Sequence, residues 1–193
     1  ASINIPEGVT SIGDYAFSSC RSLASINLPT GVTSIGESAF SSCRSLASID
    51  LPEGLTGIGD EAFRDCSNLT SIHIPEGVTS IGGHAFCNCS SLTSIDLPAG
   101  ITSIGDYAFF GCSSLASIDL PEELTSIGGE AFSGCNNLTS FYCRATTPPS
   151  CKVNPYIPSS ATLYVPIGSK AAYKAAYYWK SFTIIVEMDF NNN

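Results

Sequence analysis

The amino-acid sequence predicts an α/β-type repeat solenoid, in which units of 23 residues stack on one another. Six cysteines recur at this interval, and six Ala-Phe pairs and six prolines recur with them. A fixed period of about 20–29 residues is typical of solenoids, whose repeats pack mainly against their neighbours. The periodic cysteines form what we name the cysteine ladder: Cys20, Cys43, Cys66, Cys89, Cys112 and Cys135.

Two strands are predicted in each unit, and residues 92–112, LTSIDLPAGITSIGDYAFFGC, show them clearly. Ile95 and Leu97 lie two residues apart and therefore share the inner face of a first strand, while Ser94 and Asp96 point to solvent. Proline and glycine follow as a turn. The next segment, Ile-Thr-Ser-Ile-Gly, is rich in β-branched residues and favours a second, shorter strand.

The third part of each unit has the spacing of a short helix. Asp106 stands where a helix N-cap belongs. Ala108, Phe109 and Cys112 follow at intervals that place them on one helical face. A helix of this length is not stable alone, so packing against the neighbouring units must hold it. The sequence therefore predicts rungs, one per unit, that each contain a strand, a second short strand and a short helix.

The spacing of apolar residues within the unit matches a known repeat. In the third unit these residues are Leu46, Ile49, Leu51, Pro52, Leu55, Ile58, Gly59, Ala62, Phe63 and Cys66. The pattern resembles the BspA-like, or Treponema pallidum-type, leucine-rich repeat of bacterial surface proteins. This resemblance covers residues 1 to about 142, with departures at Glu123 and Phe141. It implies a right-handed leucine-rich-repeat solenoid of about six repeats, the N-terminal one incomplete.

A separate capping segment is predicted after the solenoid domain of residues 1–142, because the period is lost in residues 143–193. Residues 161–166 and 183–188 favour strands, and Ser169 is a suitable N-cap for a helix between them. A strand–helix–strand unit would cover core that the last repeat leaves exposed.

The predicted cap helix carries an apolar face and an aromatic run, and Trp179 belongs to both. Its apolar face is predicted to consist of Ala172, Ala175, Ala176 and Trp179. An aromatic run crosses the same helix: Tyr173, Tyr177, Tyr178 and Trp179. These rings could form a ligand platform, but packing within the cap is the favoured interpretation.

Charge and hydropathy exclude some classes of function. The chain has a net charge of −9, and residues 1–142 carry fifteen acidic residues against three arginines. So acidic a body argues against nucleic-acid binding, which needs neutralisation of phosphates. No apolar run is long enough to span a membrane. The sequence begins at Ala1 within a repeat, which suggests a longer precursor and an N-terminal edge through which a largely monomeric protein could dimerise.

The nine cysteines divide into different groups. The ladder cysteines should stack as free, buried thiols, because side chains of neighbouring rungs run parallel instead of facing each other. Cys143 and Cys151 lie off the ladder and could form a disulfide if the protein is exported. Cys87 lies three residues after His84, but we interpret it as outward-facing. No third group orients the histidine, so no catalytic pair is predicted. No cofactor is predicted for the chain, and no metal site is assigned to His84 and Cys87.

The outward residues of the first strands form the candidate binding surface. They are predicted to include Ser48, Asp50, Ser71, His73, Ser94, Asp96, Ser117, Asp119 and Tyr142. Asp50, His73 and Asp96 should occupy neighbouring rungs, where they could be a solvated polar face, contact a partner or hold a divalent cation.

Three functional hypotheses follow. The first is a non-enzymatic protein, secreted or at the bacterial cell surface, that binds a protein or glycan partner such as host matrix. The family resemblance implies the role in adhesion. The second is a structural spacer that holds another domain away from the cell. The third is a targeting module of a larger surface protein or enzyme.

Overall fold

In the computed structural model, which describes residues 1–191, the chain forms a parallel β-solenoid of about eight turns with a spacing of about 23 residues. This confirms the predicted solenoid. Apolar side chains from every rung meet in one continuous core. No helix within the described residues is long and apolar enough to cross a bilayer.

The first strands of successive rungs stack in parallel along one side of the solenoid. They are β1 (Ser2–Asn4), β3 (Ser25–Asn27), β6 (Ser71–His73), β8 (Ser94–Asp96), β10 (Ser117–Leu120), β12 (Ser140–Cys143), β14 (Thr162–Pro166) and β15 (Ile184–Met188). Residues one period apart are direct partners, as Ile72 is with Ile95. The third rung departs from this pattern, since Ser48 and Asp50 lie in an extended segment outside any ladder.

The second strands form a parallel stack on a second side. They are β2 (Ser11–Ile12), β4 (Ser34–Ile35), β5 (Gly57–Ile58), β7 (Ser80–Ile81), β9 (Ser103–Ile104), β11 (Ser126–Ile127) and β13 (Ser150–Cys151). Each isoleucine of these strands is buried, and the residue before it faces outward. The sequence predicted these strands, except for β13, which pairs with β11 beyond the last full repeat.

The predicted short helix of each rung is wrong, and turns take its place. The residue after Asp106 is Tyr107, whose φ of 57° is left-handed and cannot belong to an α-helix. The equivalent residues of the other rungs have the same conformation. Tyr107, Phe109 and Gly111 donate their N–H groups to the next rung. The residues that alternate with them, Ala108, Phe110 and Cys112, donate to carbonyls of their own rung. Asp106 caps no helix; its Oδ1 accepts the N–H of Gly129 at 2.6 Å.

The periodic phenylalanines form a stack through the core. Five successive pairs of rings, from Phe17 to Phe132, have centroids 5.3–5.6 Å apart and are nearly parallel. Aromatic pairs of this kind each add about 0.5–1.5 kcal/mol beyond burial. The stack ends where Phe141 meets Phe132 edge-on at 83°. This change of orientation marks the start of the cap.

The cap continues the solenoid instead of closing it with a different sheet. β12 runs across the predicted boundary at residue 142 and pairs in parallel with β14, which pairs with β15. A helix, α1 (Lys170–Ala175), and a 3-10 helix (Trp179–Ser181) connect these two strands. Ser169 precedes α1, but its side chain makes no capping hydrogen bond.

The predicted buried face of the cap helix is wrong in part. Ala172 and Ala175 are exposed, whereas Tyr173 is fully buried. Tyr173 and Trp179 pack edge to face with centroids 5.1 Å apart, which confirms cap packing for these two rings. Tyr177 lies at the surface and is 72% exposed. The large rings displaced the small alanines from the core because they bury more apolar area.

The glycine that follows the second strand of a unit is required because neighbouring rungs approach closely there. Substitution of Gly59 tests this requirement. A Cβ at Gly59 would lie 2.6 Å from backbone atoms of Gly36 and Glu37, whereas a Cβ at Gly57 would meet nothing within 4 Å. Gly59→Ala should therefore lower the free energy of unfolding by about 1–3 kcal/mol or more. Gly57→Ala, the matched control, should leave it unchanged or raise it slightly. Urea denaturation followed by circular dichroism measures both, and equal effects would contradict the packing described.

Candidate binding face

The outward residues of the first strands lie on one surface, which we name the strand face. Ser71, Ser94 and Ser117 are exposed and occupy equivalent positions of their strands. The other predicted residues that lie exposed on this face are Ser48, Asp50, His73, Asp96 and Asp119. Tyr142 is half-buried. The fold therefore presents all nine predicted residues at the surface.

His73 and Asp96 form a pair across neighbouring rungs. His73 Nδ1 lies 2.9 Å from a carboxylate oxygen of Asp96, because the two residues are partners in the ladder of β6 and β8. Both side chains remain more than half exposed. Within residues 1–191 no three His, Cys, Asp or Glu side chains are arranged to hold a metal ion. The cation site considered for Asp50, His73 and Asp96 is thus not formed in this part of the chain.

A second pair, between Asp119 and Arg144, lies towards the C-terminal end of the strand face. Arg144 donates from Nε and from one terminal nitrogen to the two carboxylate oxygens of Asp119, at 2.8 and 2.6 Å. This hydrogen bonding raises the pKa of the Arg144 guanidinium. The guanidinium also lies 4.9 Å from the ring centroid of Phe190. Such two-point contacts hold an arginine in one orientation.

Next to this pair the strand face becomes aromatic. The rings of Tyr142 and Tyr164 stack with centroids 4.5 Å apart and an interplanar angle of 16°. Val186 is the next ladder partner of Tyr164. These side chains line a groove of about 380 Å³, which we name the terminal groove. Its lining residues are Asp119, Tyr142, Arg144, Tyr164, Val186, Met188 and Phe190.

An adjoining groove is rich in carboxylates, and we name it the acidic groove. It measures about 420 Å³, and its apolar lining residues include Leu97 and Pro121. The acidic side chains that line it are Asp96, Asp119, Glu122 and Glu123, and Arg144 completes its wall. Asp119 and Arg144 thus belong to both grooves.

Sequence reasoning missed most of the terminal groove. It identified Asp119 and Tyr142 but not Arg144 or Tyr164. A signal existed: Tyr142, Tyr164 and Val186 follow one another at intervals of 22 residues, one fewer than the repeat period. Only the pairing of β12, β14 and β15 shows that these residues share a column.

Five of the six ladder cysteines are buried in the core, and Cys20 is half-buried and packs against it. All six thiols are free. The Sγ of Cys66 donates to the carbonyl oxygen of Phe40, in the preceding rung, at 3.2 Å. Four other ladder cysteines each donate to the equivalent phenylalanine carbonyl of their own preceding rung. Burial raises the pKa of Cys43 to about 11 and that of Cys135 to about 12. These thiols are therefore protonated and unreactive near neutral pH.

Three cysteines lie off the ladder. Cys87 is 5% exposed, so its predicted outward orientation is wrong, and burial raises its pKa. The neighbouring ring of His84 stacks on Tyr107 with centroids 4.8 Å apart. Cys143 and Cys151 are both free thiols and lie in strands of different sheets. Burial raises the pKa of Cys143 to about 12.

Comparison with known proteins identifies the same type of repeat that the sequence pattern resembles. A family model described as the BspA type leucine rich repeat region matches six copies, over residues 1–92 and 56–149. The leucine-rich repeat protein of T. pallidum is 31% identical, with a TM-score of 0.78 over 92% of this chain and 85% of that one. The chain belongs to the BspA-type leucine-rich repeat family.

Other solved structures extend the comparison of this BspA-type repeat protein. A leucine-rich repeat protein from Bacteroides ovatus is 29% identical, with a TM-score of 0.68 over 96% of this chain. The chain spans 54% of the length of that protein. The pneumococcal vaccine antigen PcpA, at 18% identity and a TM-score of 0.51 over 97% of this chain and 68% of that one, shares the fold. Comparison with the curated proteins found no match.

The buried thiols predict loss of stability at alkaline pH. A cysteine in an unfolded chain ionises near pH ~8.5, whereas Cys135 in the folded protein has a pKa of about 12. Between these values only the unfolded state releases the proton, so the free energy of unfolding should fall as pH rises. Each fully shifted thiol contributes a slope of up to about 1.4 kcal/mol per pH unit.

Urea denaturation under reducing conditions, from pH ~8 to ~11, measures this slope. Cys135→Ala should make it shallower by one thiol's contribution, whereas Ser133→Ala, which removes no titrating group from the same turn, should not. Equal slopes for the wild type and Cys135→Ala would refute the assignment.

Proposed function

We propose that this BspA-type repeat protein is a non-catalytic binding module, located outside the cell or at the bacterial surface, whose strand face contacts a protein or glycan partner in adhesion. The proposal rests on one observation: inward-facing positions of the first strands form the core, while outward-facing positions are exposed to solvent. Ile72 and Ile95 face inward and are buried, while His73 and Asp96 beside them are exposed. The inward residues are nearly constant between rungs, and so are the outward serines. The second outward column changes in charge and size, in the order Asn27, Asp50, His73, Asp96, Asp119 and Tyr142.

The geometry of the strand face supports contact with a large partner. Neighbouring rungs present equivalent side chains about 4.8 Å apart, which is the spacing of strands in a sheet. Serines and carboxylates alternate with buried residues along each strand, so hydrogen-bonding groups form two parallel columns. At its C-terminal end this surface changes from polar to aromatic. Binding surfaces commonly combine aromatic anchors with a polar surround.

The placement at a bacterial surface rests on family membership, since the BspA-like repeats resemble those of bacterial surface proteins. A second candidate function, as a spacer or targeting module of a larger surface protein or enzyme, is favoured by one observation. The chain spans only 54% of the B. ovatus protein, so this repeat array also occurs within longer chains. A spacer would need the stacked core but not the exposed residues of the strand face.

Paired serine substitutions distinguish these functions. Ser48→Arg with Ser94→Arg adds bulk and charge to the strand face at exposed positions. Ser34→Arg with Ser80→Arg makes the same change on the second strands, which face another side. Binding of the purified chain to epithelial cell-derived matrix and to fixed bacterial cells is measured by biolayer interferometry. We expect saturable binding that the strand-face pair weakens at least about tenfold and the control pair leaves unchanged.

Two results would contradict this proposal. Absence of saturable binding to either surface would favour the spacer. Equal loss of binding in both variants, with unchanged thermal unfolding, would show that contact is not confined to the strand face.

A further inference from the structure

The two grooves at the C-terminal end of the strand face form one continuous surface. Asp119 and Arg144 line both of them. An extended polypeptide advances about 3.4 Å per residue, so its alternate side chains are about 7 Å apart and could enter adjacent grooves. Each groove is large enough for a long side chain but too open to enclose a small molecule.

Negative charge dominates the acidic groove. Arg144 is its one basic side chain, and Asp119 already engages that charge through two hydrogen bonds. Within residues 1–191 no ion pair engages Glu122 or Glu123, and both are exposed. A cationic side chain entering this groove would therefore meet carboxylates whose charge is not neutralised.

The repeat itself is altered where these charges lie. The turn after the first strand carries glycine in the preceding rungs, at Gly54, Gly77 and Gly100, but Glu123 takes that position in the last full rung. The substitution adds a carboxylate at the edge of the groove. It breaks the pattern of the turn one rung before the outward column changes from Asp119 to Tyr142.

The terminal groove adds surfaces that suit a cation and its apolar stem. Tyr142 and Tyr164 are half-buried and stacked, so their ring positions are held by the fold. Phe190 already lies 4.9 Å from a guanidinium, that of Arg144, in the same groove. A lysine or arginine bound near a ring face gains cation–π attraction, and its methylene groups can pack on Val186 and Met188.

We infer that the acidic groove and the terminal groove together bind an extended basic segment of a protein partner, with arginine or lysine side chains placed between the carboxylates and the tyrosine rings. This inference rests on the proposed function and specifies the partner's chemistry. Anionic partners, including nucleic acids and acidic glycans, are disfavoured by the same carboxylates. A neutral glycan, which could also stack on tyrosine, lacks the positive charge that the groove complements.

Fluorescence anisotropy with synthetic peptides tests the inference on the full chain. The probe is a fluorescein-labelled octapeptide that alternates arginine and valine. Matched peptides carry glutamine or glutamate in place of arginine, and labelled maltohexaose serves as the neutral glycan. The arginine peptide should bind saturably and at least about tenfold more tightly than the glutamine and glutamate peptides. Raising the salt from about 50 to about 300 mM should weaken its binding, because exposed charges are screened.

Variants locate the site. Glu122→Gln with Glu123→Gln should weaken binding of the arginine peptide at least about fivefold. Glu53→Gln with Glu76→Gln is the matched control, because it removes the same charge from turns that line neither groove. Tyr164→Leu keeps an apolar side chain but removes the ring, and should weaken binding about threefold. Tyr177→Leu removes an exposed cap tyrosine outside the grooves and should have no effect. Thermal unfolding confirms that each variant is folded.

The outcomes separate this inference from the proposed function. Equal binding of the glutamine and arginine peptides, or binding of maltohexaose alone, overturns the inference but leaves a binding face. Equal weakening by the two glutamate pairs shows non-specific attraction and also overturns it. If no peptide binds while the chain still binds matrix or cells, only the inference fails. If neither peptide nor surface is bound, both proposals fail.

Discussion

In-register stacking of each rung on the next is the constraint on which the whole molecule depends. The N–H of Thr102 donates to the carbonyl of Thr79 at 2.9 Å, and the same bond recurs between other rungs. The phenylalanine rings repeat at 5.3–5.6 Å in the core between these backbone ladders. A side chain that is too large, or a rung of the wrong length, would disturb both neighbours. This is why the inward residues hardly vary.

The same constraint limits where a function can reside. Inward positions and the rung-to-rung glycines serve packing, so only outward residues can vary without cost to the stack. The strand face uses this freedom to carry His73, Asp96 and Asp119 at equivalent positions. The strongest departures occur where the period shortens from 23 to 22 residues and the cap begins. There Glu123 and Tyr142 replace the usual residue types, and both grooves lie at this junction.

The sequence predicted the structure correctly at positions where the same residue type recurs in every rung because it packs in the same way. The period, both strands of a unit, the buried cysteine ladder and the solvent-facing residues of the first strands all follow from residues that recur in every rung. The prediction was wrong where the backbone adopts a positive φ. The segment after Asp106 has helical spacing, but Tyr107 is left-handed and inter-rung hydrogen bonds outweigh helix formation. Gly111 and Gly134, both with positive φ, were a local sign of this conformation.

Contacts made by residues without an equivalent in the other rungs could not be predicted from the sequence either. Cys87 replaces the serine, arginine or phenylalanine of other rungs, so its burial could not be inferred from its equivalents. Arg144 is one basic residue in an irregular segment, and nothing periodic connects it to Asp119. Tyr164 joins the strand face only because the cap strands extend the first sheet. The contacts of these three residues therefore follow from the three-dimensional structure and not from the repeat pattern.

Deletion of one whole rung tests the stacking constraint most directly. Removal of residues 47–69, one full period, joins Leu46 to Thr70 and leaves every remaining rung with an equivalent neighbour. Removal of residues 47–67 leaves two extra residues and shifts the following rungs out of register. Urea denaturation followed by circular dichroism should show a cooperative transition for the first deletion and none for the second. Equal behaviour of the two deletions would contradict the account.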